Sequence, residues 1–151
     1  MWRGDQAPYE GAHYQMLRPL NSPNTVQSPY PPIRIAGSGE RKTLRLVARY
    51  GDMYNLFDLP GTGFADDLKH KLDVLRSHCE EAGRDYDDIE KTVSTFAEPG
   101  SDPRRTLDHL AELAELGIDH VMLSPRQPWD EVALDWAGEL VPAVHAIPVS
   151  R

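Results

Sequence analysis

A short β-rich run, Ile33-Arg34-Ile35-Ala36, breaks at Gly37-Ser38-Gly39 and leads into a helical stretch that carries Arg41 and Lys42 at its start. Glycines let backbone N–H groups turn toward a ligand, and the N-terminal end of a helix dipole favours an anion. The chemistry this arrangement offers is anion binding, with phosphate the natural guest. On spacing alone, a tight strand-to-helix turn that binds nothing is the commoner outcome for so short a glycine motif. Cations in the first turn of a helix oppose the dipole unless an anion is present, so Arg41 and Lys42 tilt the reading toward a ligand. A solvated first turn is the plain alternative for both. Arg45 and Arg49 lie one turn apart and read as surface. The histidines His13, His70, His78, His109, His120 and His145 show no metal spacing such as H-E-x-x-H. His70 and His78 ride on a charged helix and read as solvated, His120 opens a strand, and the single cysteine, Cys79, reads as small buried filler. Trp129 and Trp136 have the spacing of helix packing rather than of a stacking site.

The elements that must position these residues follow from the hydrophobic periods. Residues 1–32 hold Pro8, Pro19, Pro23, Pro29, Pro31 and Pro32, each with a fixed φ and no N–H to donate. They read as an irregular connection with a hairpin-like piece near Gly11–Leu17. From residue 33 to 151 four strand–helix units follow. The first is Ile33–Ala36 with a helix from Glu40 to Tyr50, its apolar face being Leu44, Val47 and Ala48 at i, i+3, i+4. The second is Met53–Phe57, a loop at Pro60-Gly61-Thr62-Gly63, and a helix from Phe64 to Ala82 with Leu68, Leu72 and Leu75 inward and Gly83 just past its end. The third is Thr92–Phe96 with a helix opened by Asp102 and Pro103, running to Leu116 with Leu107, Leu110, Ala111 and Ala114 inward. The fourth is His120–Leu123 and a helix from about Trp129 to Val144.

Strict alternation of this kind gives a parallel sheet with helices packed outside it. The fold class is α/β, and the short strands with a loop after each match the C-terminal half of a (β/α)8 barrel. A full barrel needs roughly 250 residues, and this chain has 151. A Rossmann-like module binding NAD is the rival, weakened because Lys42 stands where its third glycine belongs, although Asp58 sits near the end of the second strand. Asn55, at a strand end, would face the barrel mouth either as a ligand contact or as a strand-end hydrogen bonder. A formal net charge of −8 argues against nucleic acid and against anionic membrane surfaces as partners. No apolar run approaches the roughly 18 residues of a membrane-spanning helix. The start lacks the apolar core of a signal peptide, so cytoplasm is the expected compartment.

The stretch from Pro31 to Asp52, PPIRIAGSGERKTLRLVARYGD, resembles a signature of luciferase-like oxidoreductases. There "PPI-x-I-GG-x-G" with "TLR-x-xA-x-x-xD" marks the fifth strand, its phosphate-contacting turn, the next helix and the start of the sixth strand. Met1-Trp2-Arg3-Gly4-Asp5 with Tyr9-Glu10-Gly11-Ala12-His13-Tyr14 resembles an upstream segment of that family. Ala82-Gly83-Arg84-Asp85-Tyr86-Asp87-Asp88-Ile89-Glu90 resembles one of its turns, and Gly117 to Leu123 its last strand. The pieces occur in family order over nearly the whole chain. One departure is Ala36, where the family usually has glycine.

The resemblance implies an oxidoreductase, or a monooxygenase, using coenzyme F420 or, alternatively, FMN. The segment GSGERKTLRLVARYGDMYNLF is more similar to the deazaflavin subgroup. It implies cofactor contacts along Ala36, Gly37, Ser38, Gly39, Glu40, Arg41 and Lys42 and at Asn55, a small-molecule substrate, and no metal. It also implies that the four N-terminal strands are absent and the catalytic residues with them, leaving a chain inactive alone. Four parallel strands left open expose two edges and an inner face. The expected partner is a second copy or a complementing N-terminal half.

Overall fold

From residue 34 onward the backbone alternates between strand and helix, and each helix returns the chain to start a strand parallel to the last. The computed structural model describes residues 4–58 and 64–149. The expected loop Pro60-Gly61-Thr62-Gly63 and the opening Met1-Trp2-Arg3 lie outside the described residues. The chain divides into two units, Met1–Pro32 and Ile33–Arg151. In the first, β1 (Tyr9–Glu10) pairs antiparallel with β2 (Gln15–Met16), and Gly11 N–H donates to Tyr14 O at 2.9 Å to close the hairpin.

The second unit runs β3 (Arg34–Ala36), α1 (Thr43–Tyr50), β4 (Met53–Phe57), α2 (Phe64–Ala82), a 3-10 turn (Tyr86–Asp88), β5 (Glu90–Ala97), α3 (Pro103–Glu115), β6 (His120–Pro125) and α4 (Glu131–Val144). The four strands are all parallel, in the order β3-β4-β5-β6. Each crossover therefore lands on the adjacent strand and always steps the same way, as in a barrel. A doubly wound nucleotide-binding sheet reverses its strand order at a switch point, and no reversal occurs here. The Rossmann-like alternative is set aside on that ground, leaving half of a (β/α)8 barrel.

Strand alternation sends Tyr54, Leu56 and Val93 toward the helices, where they pack with Leu44, Val47, Leu68, Leu75, Ile89 and Leu113 in one core. The opposite face carries Asn55, Phe57, Ser94, Phe96 and Met122. Among the described residues no helix is long and apolar enough to cross a membrane.

Several boundaries differ from the periodicity. Helix α1 begins at Thr43 rather than Glu40, because Leu44 N–H reaches back to Gly39 O at 3.0 Å and Lys42, at the N-cap, supplies no capping side chain. Strand β5 starts at Glu90, two residues early. The polar Lys91 is buried there because its ammonium meets Asp119 Oδ2 at 3.4 Å and lies over the Tyr86 ring at 4.7 Å. Burial pushes the Tyr86 hydroxyl up to about 12, against the opposing charge of Arg76. On α3 the buried face is Leu110, Leu113 and Ala114, with Leu107 and Ala111 only half-buried. Asp102 caps that helix as expected, accepting from Arg104 N–H at 3.0 Å. Helix α4 starts at Glu131 behind its own cap, Asp130 Oδ1 accepting from Ala133 N–H at 2.8 Å. Gly83 has the left-handed φ of +65° that a residue just past a helix end adopts. Cys79 is 1% exposed, and burial raises its thiol pKa, as suits a filler.

Leu75, fully buried where α2 meets α1 and the sheet, sets the scale of this packing. Leu75→Ala is expected to lower stability by about 2–5 kcal/mol, while exposed Arg49→Ala stays within about 0.5 kcal/mol. Urea unfolding followed by circular dichroism measures both.

Candidate functional site

The turn between β3 and α1 is built by constraints on its first residue. Gly37 N–H donates to Asn55 O at 3.2 Å, which continues the ladder one step past β3. Gly37 O accepts from the Tyr54 hydroxyl at 3.2 Å. Between those two anchors Gly37 has a φ of +126°, a conformation that strains any residue with a side chain. Gly39 is glycine for a steric reason, since a Cβ there would lie 2.9 Å from Thr43 Oγ1. The Tyr54 ring is 1% exposed, and its burial raises the hydroxyl pKa well above the ordinary 10.0. It therefore stays protonated and able to donate.

Beyond Gly37 the backbone turns outward. The N–H groups of Ser38, Gly39, Glu40, Arg41, Lys42 and Thr43 have no acceptor among the described residues. Six successive unpaired donors near the start of a helix, with no acidic residue in its first turn, are groups of the kind that take anions. Arg41 and Lys42 are exposed and have no carboxylate partner among the described residues. Ala36, Gly37 and Ser38 border a cavity of about 530 Å³, shared with Asn55, Leu56, Phe57, Phe64 and Asp67.

Helix α2 holds the turn from behind. Glu40 Oε1 accepts from Lys71 Nζ at 2.5 Å and lies 3.2 Å from His70 Nε2. His78 Nε2 donates to Glu40 O at 2.9 Å. The hydrogen bond from Lys71 holds the Glu40 carboxylate below its ordinary value of 4.5, and the same bond raises Lys71 above 10.5. The Glu40 side chain is thus committed to α2, while the backbone on either side of it remains open. Asn55 is likewise occupied. It accepts from Thr92 Oγ1 at 2.8 Å and donates from Nδ2 to Ser94 Oγ at 3.2 Å. Of the residues read as cofactor contacts, the structure gathers Ala36, Gly37, Ser38 and Asn55 on one cavity and sets Gly39, Arg41 and Lys42 along the same turn.

Lys71 and Tyr54 had no role in the sequence, where His70 and His78 read as solvated; His70 is exposed. His78 was expected to be solvated; it is half-buried and spent on the turn. The signal available was positional: Lys71 and His78 are seven apart and flank the apolar stripe Leu68, Leu72, Leu75 and Cys79, so they border the face that α2 buries. A second cluster was also unread. Asp58, fully buried at the end of β4, accepts at Oδ2 from His109 Nε2 at 2.5 Å and from Thr95 Oγ1 at 3.2 Å. Its Oδ1 has no partner among the described residues. This pair ties α3 to the ends of β4 and β5. His120 meets Glu90 Oε1 at 3.2 Å at the opposite end of the sheet. Among the described residues no group of three His, Cys, Asp or Glu side chains is placed to hold a metal.

The model of the luciferase-like monooxygenase family matches residues 1–141. No curated protein matches the chain by sequence. An F420-dependent secondary alcohol dehydrogenase in complex with an F420-acetone adduct superposes with a TM-score of 0.76 and 16% identity, over 95% of this chain and 57% of that one. A riboflavin lyase with modified FMN and riboflavin gives 0.70 and 15%, over 95% of this chain and 50% of that one. A monooxygenase from Streptomyces bottropensis gives 0.59 and 18%, over 93% and 56%. The chain spans about half the length of these structures, and the likeness is one of fold.

The clamp on Glu40 predicts a pH window for order in the turn. A carboxylate whose pKa is lowered on folding contributes at pH above its unfolded value and loses that contribution as pH falls through the folded one. For Lys71, raised on folding, the contribution holds below the unfolded value and fades as pH rises through the folded one. Exchange protection of the Leu44 and Leu46 amides, which donate to Gly39 O and Lys42 O, corrected for intrinsic rates, should be greatest near neutrality and decline in acid below 4.5. Glu40→Gln should abolish the acid-side change.

Proposed function

Since the chain belongs to the luciferase-like monooxygenase family, we propose that it forms the phosphate-binding half of an oxidoreductase that transfers hydride between coenzyme F420 and an organic substrate. The observation that carries this reading is the unpaired run of N–H donors from Ser38 to Thr43, flanked by Arg41 and Lys42. The donor set fits an anionic group. Backbone amides and the Ser38 hydroxyl supply neutral donors, the two cations supply charge, and no carboxylate is left free in the turn because Glu40 is bonded to Lys71. The deazaflavin, when bound, supplies the hydride chemistry that no side chain of this chain can perform.

What the chain's own residues contribute is placement. Ser38, Gly39, Arg41 and Lys42 would hold the phosphate. Tyr54, Asn55, Lys71 and His78 keep the turn in the shape that presents those donors. Ala36, Phe57 and Phe64 give the adjoining cavity apolar walls for the non-phosphate part of the ligand. Resemblance of residues 37–57 to the deazaflavin subgroup favours F420. The same cradle takes the phosphate of FMN, and the family neighbour that carries modified FMN keeps that cofactor as the second reading. As the chain spans about half the length of its solved neighbours, turnover is expected only with the remaining barrel units present.

Titrating the chain with F420, FMN and NADH, followed by fluorescence, tests the proposal. F420 should bind, with FMN weaker. The double substitution Arg41→Ala, Lys42→Ala should weaken F420 by at least about tenfold, or ~1.4 kcal/mol, and flatten the salt dependence. Binding of NADH alone would refute the reading, as would F420 affinity indifferent to both substitutions.

A further inference from the structure

In a parallel barrel the last inward residues of the strands, with the first residues of the loops after them, form the mouth, and that is where such barrels keep their ligands. Strands added at the free edges of the sheet extend the ring sideways and leave the mouth open. On the face that carries Asn55, the mouth end of the sheet holds a chain of contacts across three consecutive strands. Phe57 is the last residue of β4, and Phe96 lies one residue before the end of β5. Their rings meet edge to face, 5.4 Å between centroids and 84° between planes. Arg126 is the first residue after β6, and its guanidinium carbon sits 4.1 Å from the centroid of the Phe96 ring. Phe57 also borders the cavity of about 530 Å³ that it shares with Gly37 and Ser38. The contacts therefore lead from the wall of that cavity to a cation two strands away.

We infer that Phe57, Phe96 and Arg126 form a binding site for an organic carboxylate, and that this carboxylate is the substrate of the proposed oxidoreductase. A guanidinium lying over a ring is held by its face, which leaves the N–H fork along its edge to meet an acceptor. Arg126 is exposed and forms no ion pair among the described residues. Glu98 borders a cavity of about 270 Å³ with it and does not pair with it. A carboxylate matches that fork with two parallel hydrogen bonds, and one guanidinium matches one negative charge. The start of α4, just beyond, is capped by Asp130 and carries Glu131 in its first turn. It adds negative charge where a phosphate dianion would need donors. The two phenyl rings suit an apolar group beside the carboxylate, and Phe57, 51% exposed, has ring surface left to cover. Hydride transfer needs substrate and cofactor in contact, and Phe57 is common to both places: it borders the cavity beside the β3–α1 turn and touches Phe96. Calling this ligand the substrate rests on the cofactor reading. The carboxylate site itself uses neither the turn nor its donors.

Nuclear magnetic resonance of the labelled full chain tests it, with inorganic phosphate added first to fill the Ser38–Thr43 donors and benzoate then titrated as the probe. Benzoate should shift the Arg126 Nε–H signal and the Phe57 and Phe96 ring signals. Benzyl alcohol, the same ring without the charge, should bind at least about tenfold more weakly. Arg126→Gln should lower benzoate affinity at least about tenfold and leave the phosphate response of Ser38–Thr43 unchanged. Arg126→Lys, which keeps the charge and loses the fork, should recover only part of that affinity. Equal affinity for benzoate and benzyl alcohol would overturn the proposal. So would benzoate binding that is absent, indifferent to Arg126→Gln, or confined to residues away from all three side chains. Phosphate that leaves the Ser38–Thr43 amides unmoved would instead sink the cofactor reading, and with it the assignment of the carboxylate as substrate, even where benzoate binds at Arg126.

Discussion

A parallel pair of strands cannot be joined by a hairpin; the chain has to travel back along the outside before it can start again in the same direction. That constraint organises this protein. It places the C-terminal ends of the strands and the N-terminal ends of the helices on one rim, and, because every crossover steps to the next strand in the same direction, the connecting helices lie on one face. Gly37, Asp58 and the segment before Asp102 share that rim because the topology leaves them no other position. The rim is where donors that a helix cannot use, and side chains that a strand cannot bury, become available to a ligand.

On the described part of the rim three aspartates are engaged, and the β3–α1 turn has no such side-chain acceptor. Asp58 is bonded to His109 and Thr95, and Asp102 and Asp130 cap their own helices. Among the helices whose caps are described, α1 alone begins without a capping side chain, with Lys42 at its N-cap and no acid in its first turn. Uncapped donors and unpaired cations both cost stability. The turn keeps its shape because of residues distant in sequence: Tyr54 and Asn55 fix Gly37, and Lys71, His70 and His78 grip Glu40 from α2. The grip comes from the helix side, and the donors on the other side are left open.

The strands and helices were legible where a period announced them. Met53–Phe57 and Phe64–Ala82 have the same limits in sequence and structure, and the buried trio Leu44, Val47 and Ala48 follows from i, i+3, i+4 spacing. Limits failed where a polar residue is rescued by a distant partner. Lys91 reads as the end of a strand until Asp119 is seen beside it, 28 residues away. The glycine turn was legible as a turn because glycine's freedom is a local property. Its supports were not, since His78 and Glu40 are 38 residues apart and meet only when α2 packs on α1. Asp58 and His109, 51 residues apart, were hidden for the same reason. The family resemblance pointed to Ala36–Lys42 as cofactor contacts, but it could not tell that the Glu40 side chain is bonded to Lys71 of α2.

Membership in the luciferase-like family and a likeness to structures of about twice the length agree with an anion cradle on the rim of half a barrel. Amide chemical shifts of the labelled chain, followed as F420 is added, test that cradle most directly. The account predicts that the largest changes fall on the N–H groups of Ser38 to Thr43 and that inorganic phosphate reproduces them in weaker form. Shifts confined to other residues, with the Ser38–Thr43 amides unmoved at saturation, would contradict it.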